Sequence, residues 1–222
     1  MLADIRLVAA KDLRIEWRSR VTLSQVVPFA LLVLVLFGFA LDANRPVLDA
    51  ATSGLYWVTV LFVGLMSVQR ATAIETTDGA RRALLLAGVE PAAVFLGKAL
   101  AVALQLLFVE VVLVGGVIVL FDASIESLPL LAATCVVASV GIAAAGTLLG
   151  ALVAGVRARE TVLPILLLPV LAPVLIGATR AFDDALGTVA VDGWAWLGLL
   201  AGFGAVNTVL GALAYGVLLE ET

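Results

Sequence analysis

Histidine is absent from the 222-residue chain, cysteine occurs once and lysine twice. The usual ligand sets for zinc, copper and haem iron are therefore missing, since only Cys135, Met66 and Met1 carry sulfur, and this argues against a metal-centred reaction within the chain. A single cysteine forms no disulfide inside the chain, and Cys135, set in Thr134-Cys135-Val136-Val137, reads as a small buried hydrophobe before a reactive thiol. Charge is scarce as well: 14% of residues are Asp, Glu, Lys or Arg, where a soluble domain carries about a quarter. No phosphate-cradling loop is present, because the one Gly-Lys pair, Gly97-Lys98, has Ala92 where that loop needs its first glycine. Zinc-protease, nucleophile-elbow and dinucleotide-binding motifs are missing too, so an enzyme working alone is disfavoured, and with 17 acids to 13 bases nothing points to nucleic acid. The acidic, lysine-poor balance suits a salt-adapted protein and equally a GC-rich genome.

Apolar side chains fill this gap. They make up 63% of the chain, and the mean hydropathy of +1.19 means that lipid, not water, is the main solvent. Charge-poor runs over 21–41, 50–69, 99–121, 127–155, 161–180 and 193–219 are each long enough to cross a hydrocarbon core of about 30 Å. The expected fold is an all-α integral membrane protein, one transmembrane domain over 1–222 with six spans. Eleven of the 13 basic residues fall before the first span, between spans two and three, or between spans four and five; only Arg45 and Arg180 lie on the other side. The positive-inside rule then puts both termini in the cytoplasm of a multi-pass cell-membrane protein and leaves the outer loops acidic. Small residues after the first run, Phe39-Ala40-Leu41-Asp42-Ala43, imitate a signal-peptide cleavage site, but the five spans that follow argue against cleavage.

Residues 1–20 read as an amphipathic helix. Leu2, Ile5, Ala9, Leu13 and Trp17 recur at spacings of three and four, Lys11, Arg14 and Arg18 lie opposite, and Arg6 and Glu16 fall near the apolar stripe. The reading is an interfacial helix on the cytoplasmic leaflet, anchored by Trp17 and held to anionic membrane lipid by its basic residues. The largest polar piece, 70–98, contains Glu75, an Asp78-Gly79 turn, Arg81 and Arg82 ahead of Leu84, Leu85 and Leu86, and a stop at Gly88 with Pro91 beyond, which describes a short helix at the membrane face.

Within the spans a few residues stand out. Glu110 interrupts Leu107-Phe108-Val109-Glu110-Val111-Val112 and costs several kcal/mol unless it meets a partner, a wet cavity or a proton; an interhelical hydrogen bond and a role in passage or subunit contact weigh equally. Gln105 lies five residues earlier, and Asn207 is a polar residue of the last span. Gly141, Gly146 and Gly150, with Ala145 and Ala154, give span four a small-residue face for close helix packing. Pro164, Pro169 and Pro173 each remove a helical hydrogen bond from span five, so neighbouring helices must satisfy the freed carbonyls, and the span reads as a hinge or a static kink.

These residues together resemble the haem exporter protein B family of cytochrome c maturation, over nearly the whole chain. The likeness rests on Lys11-Asp12-Leu13-Arg14-Ile15-Glu16-Trp17-Arg18-Ser19-Arg20, on Arg70, Glu75, Gly79, Leu84 to Leu86 and Gly97-Lys98, on Glu110, and on Arg157-Ala158-Arg159-Glu160 leading into the three-proline span. It implies an ABC-2 (type-2 exporter) permease without catalytic residues, whose segment Glu75, Gly79, Arg81, Arg82, Leu84, Leu85 and Leu86 couples to a cytoplasmic ABC ATPase subunit. It also implies that ATP is bound by that partner and haem is handled by the complex, with no cofactor bound directly by this chain. The other implied partners are a second membrane subunit, either a haem-handling protein or a second copy, and a haem chaperone. Rival readings are an ABC-2 permease for a lipid or drug, then a proton-coupled secondary transporter working through Glu110.

Overall fold

The computed structural model describes residues 1–41, 44–76, 88–156 and 158–220. Among them there is no strand, and six helices are long and apolar enough to cross a membrane. Helix α1 is Leu2–Ser19, and its chain turns at Arg20, whose φ of 54° is left-handed. The first span opens with a π-helical turn, Thr22–Val26, and continues as α2, Val27–Leu41. Then follow α3, Arg45–Thr76, α4, Pro91–Phe121, α5, Leu128–Leu152, α6, Arg159–Ala185, and α7, Gly193–Glu220. The result is a multi-pass helical membrane protein, with one end of the bundle basic and the other acidic.

Prolines and acids mark where these helices start. Pro91 opens α4 and Pro129 sits in the first turn of α5, where a missing N–H costs nothing, and the Glu90 carbonyl accepts from Ala93 and Val94 N–H at 2.9 and 3.1 Å. At the head of α7 the Asp192 carboxylate accepts from Ala195 N–H at 3.1 Å and that of Asp184 from Gly193 N–H at 3.0 Å. Both α3 and α4 overrun the apolar runs seen in the sequence. With 32 residues α3 reaches about 48 Å at 1.5 Å per residue, well beyond the hydrocarbon thickness. Residues 70–76 therefore finish α3 and 91–98 begin α4, which shortens the connection between them.

Helix α5 is the centre of the bundle, packing against α3, α4, α6 and α7. Lipid is as apolar as leucine, so what holds these spans together is close van der Waals fit and not escape from water. The small-residue face supplies that fit: a Cβ at Gly146 would collide with Val68 and one at Gly150 with Thr72, both on α3, while Gly141 meets Phe203 and Gly204 of α7 on another side. A further close approach, unmarked in the sequence, puts Gly211 of α7 against the ring of Phe95 on α4. Helix α6 runs unbroken through Pro164, Pro169 and Pro173.

Candidate functional site

Two polar constellations stand out in an otherwise apolar molecule. The first lies at the basic end, where α1 is fastened to the helices on either side of the 77–87 segment. Glu16, 7% exposed, is its node: one carboxylate oxygen accepts from Arg70 Nε of α3 at 2.7 Å, and the other from Thr22 N–H at 3.0 Å and Thr22 Oγ1 at 2.7 Å. Arg70 also donates to Ser19 Oγ at 2.6 Å. One turn earlier, Asp12 pairs with Lys98 of α4 at 3.3 Å and with Lys11 at 2.9 Å. Lys98 is only 3% exposed, and a charge so placed is tolerable because it is paired. Close beside it Gly97 lets α1 approach, since a Cβ there would sit 2.7 Å from Val8 Cβ and 2.9 Å from the Ile5 carbonyl oxygen.

The face of α1 that packs on the bundle combines part of the apolar stripe with two acids. Ile5, Val8, Ala9, Asp12, Leu13 and Glu16 turn inward, whereas Leu2 and Trp17 are 79% and 74% exposed. Acids sit on the inner face because Arg70 and Lys98 neutralise them, and Arg6, Arg14 and Arg18 remain exposed on the outer one. From sequence, Asp12, Glu16 and Ser19 stood out only as members of the run Lys11 to Arg20, with no role assigned, and Thr22 was not singled out. Their signal was available as two acids four residues apart on one helix, facing the lone basic residues at the ends of two spans. Gly79, Arg81, Arg82, Leu84, Leu85 and Leu86 lie outside the described residues, and Glu75 sits in the last turn of α3.

Beside this junction a cavity of about 520 Å³ opens between the π-turn, α3, α4 and α6. Gln25, Gln69, Arg70, Gln105, Arg159 and Glu160 supply its polar wall. Gln69 does a second job there: Pro164 has no N–H to give the Glu160 carbonyl, and Gln69 Nε2 donates to that oxygen at 3.1 Å. A neighbouring span thereby satisfies one of the carbonyls freed by the proline series.

The second constellation surrounds Glu110 on α4, 1% exposed. Ser139 Oγ of α5 donates to Glu110 Oε1 at 3.0 Å, and the Tyr56 hydroxyl of α3 lies 3.4 Å from the Glu110 carbonyl oxygen and 3.5 Å from Cys135 Sγ. Tyr56 stacks on Phe182 of α6 with ring centroids 4.5 Å apart, and Trp57 meets both rings edge-on. Four helices are thus tied at one level, with Cys135 buried among them. Gln105 takes no part, because five residues turn a helix by roughly 140°, and it faces the junction cavity instead. Asn207 donates to the Phe203 carbonyl of its own helix at 3.0 Å. Among the described residues no three His, Cys, Asp or Glu side chains converge to hold a metal ion.

Comparison with known proteins adds what geometry alone does not. Residues 4–221 match the family model described as CcmB protein. The chain is 26% identical to Heme exporter protein B of Rhodobacter capsulatus over 206 residues, covering 93% of this chain and 94% of that one. It is 24% identical to Heme exporter protein B of Haemophilus influenzae over 211 residues, covering 95% and 90%, and 24% identical to that of Pseudomonas aeruginosa over 180 residues, 81% of each. A match that runs through α1, all six spans and both polar constellations leaves no part of the fold to another source, and the chain belongs to the CcmB protein family.

Proposed function

We propose that this chain is the membrane subunit of an ATP-binding cassette complex that serves haem export in cytochrome c maturation, with ATP bound and hydrolysed by a separate cytoplasmic subunit. The family match and the curated relatives named Heme exporter protein B support the haem reading. Eleven basic residues on one side support an orientation with both termini in the cytoplasm of the cell membrane.

The observation that carries the coupling reading is the frame around residues 77–87. Helix α3 leads into this segment and α4 leads out of it, and both are pinned to α1 by ion pairs, Arg70 to Glu16 and Lys98 to Asp12. A push from a closing ATPase dimer on Gly79, Arg81, Arg82 and Leu84 to Leu86 would then move α1, α3 and α4 as one body against the central α5, where glycine contacts let helix faces slide at short range. Glu110, bonded to Ser139, acts in this account as an interhelical tie that carries the movement across the membrane. Six spans are few for an export path, so the complex includes a second membrane subunit, a haem-handling protein or a second copy, and delivers to a haem chaperone. Haem is handled by the complex, which either exports it or drives release of a haem-loaded chaperone. The chain provides no histidine to hold it, which favours a role in driving release of the loaded chaperone. Isolation of the tagged protein in mild detergent, with identification of what accompanies it, tests the reading: an ABC ATPase should be the main partner, and a chain that stays a stable monomer in cells that make the complex refutes it.

A further inference from the structure

We propose that the basic end of the bundle holds a phospholipid taken from the adjoining leaflet, in a cleft formed where a polar cavity meets an apolar groove. The polar half is the 520 Å³ cavity already described, within the size range of small-molecule sites. The apolar half is a groove of about 180 Å³ between α1, the π-turn and α4, walled by Leu13, Trp17, Leu23, Leu104 and Phe108. Thr22 and Gln105 line both, so the two halves meet along these side chains. One end that offers amide, hydroxyl and guanidinium groups, joined to another that is almost wholly hydrocarbon, is complementary to an amphiphile and to neither a sugar nor a free anion.

Charge selects the head group. Within the groove Glu16 is compensated by Arg70 and by two bonds from Thr22, whereas the Arg20 guanidinium has no side-chain partner among the described residues. Arg20 sits on the left-handed turn between α1 and the first span, which holds it at the groove's mouth beside Thr22. An unpaired cation at this point fits a phosphodiester, with Gln105 as a neutral donor, and Glu160 across the cavity stands ready for the ammonium of an ethanolamine head group. The acyl chain then lies along Leu23, Leu104 and Phe108, three side chains that are 45%, 42% and 44% exposed on helices that run through lipid. The π-turn contributes Thr22 and Gln25 to the wall, and such turns recur where a helix has been adapted to a ligand. Binding here needs neither nucleotide nor cargo, so the proposal stands or falls apart from the export reading.

The test is native mass spectrometry of the full-length chain released from maltoside micelles, followed by delipidation and re-addition of phosphatidylethanolamine or phosphatidylglycerol. About one phospholipid should remain on the wild type. Arg20→Gln, which deletes the cation, and Leu104→Trp, which fills the groove, should each lower retention roughly tenfold, the effect of one charge-assisted contact or one blocked chain. Arg20→Lys should restore most of it, which separates lost charge from lost folding, and Arg14→Gln, on the exposed face of α1, should behave as wild type. Equal retention by all variants marks an ordinary lipid annulus and overturns the proposal. So does displacement of the lipid by glycerol 3-phosphate or inorganic phosphate, which reveals a site for free phosphate, and so does a folded Arg20→Lys chain as empty as Arg20→Gln.

Discussion

Replacement of Arg70 by glutamine should loosen the clamp between α1 and α3 without unfolding the bundle. Wild-type Arg70 makes a 2.7 Å ion pair to Glu16 and a 2.6 Å hydrogen bond to Ser19. Glutamine is too short to make both. What remains is a carboxylate, 7% exposed, that keeps only its two bonds from Thr22. Breaking a fully buried pair costs about 3–5 kcal/mol, but the Arg70 side chain is 30% exposed and water screens part of the attraction, which brings the expected loss to about 2 kcal/mol. The pairwise part is isolated by a double-mutant cycle with Glu16→Gln, read from SDS-induced unfolding of the purified chain. Coupling of about 1.5–2 kcal/mol is expected, because in the double variant neither charge is stranded. The same variants, assembled with the ATPase subunit, should lose coupled hydrolysis more than Arg14→Gln does. Coupling below about 0.5 kcal/mol would show that Glu16 and Arg70 act independently and that α1 is no clamp.

Two more variants address the interior. Glu110→Gln keeps an acceptor for Ser139 Oγ and should fold and assemble like wild type, whereas Glu110→Leu strands that hydroxyl at a buried site and should cost about 1–2 kcal/mol, measured in the same unfolding assay; a glutamine variant as damaged as the leucine one would mean that the acid itself is required. Gln69→Leu leaves the Glu160 carbonyl ahead of Pro164 without its donor and should lower stability by about 1–2 kcal/mol, an effect that Pro164→Ala should relieve by restoring a backbone N–H; no rescue would mean that Gln69 acts elsewhere.

How far the sequence could be read depended on which solvent each residue meets. Spans were legible because a charge-free run of twenty residues has few other fates, and their glycines suggested close packing, with Gly146 and Gly150 set against α3 in the structure. Helix ends were legible only to the first charge, since nothing in a local window says that Arg70 or Lys98 has a partner more than fifty residues away. For the same reason the stripe through Leu2 and Trp17 was legible on α1, whereas the pairing of Asp12 with Lys98 and of Glu16 with Arg70 on its inner face was not. Gly97-Lys98, which fails as a phosphate loop, turns out to be the contact point of α1, with the glycine admitting Val8 and the lysine answering Asp12. Glu110 was visible as an anomaly, but its partner Ser139 and its neighbour Tyr56 come from other helices and required the fold.

ATP hydrolysis by reconstituted components tests the central idea most directly. The purified chain in liposomes should hydrolyse no ATP, and addition of its ATPase subunit should give activity that falls when Leu84, Leu85 and Leu86 are replaced together by aspartate. Hydrolysis by the chain alone, or a complex whose assembly and turnover ignore the triple replacement, would contradict the account.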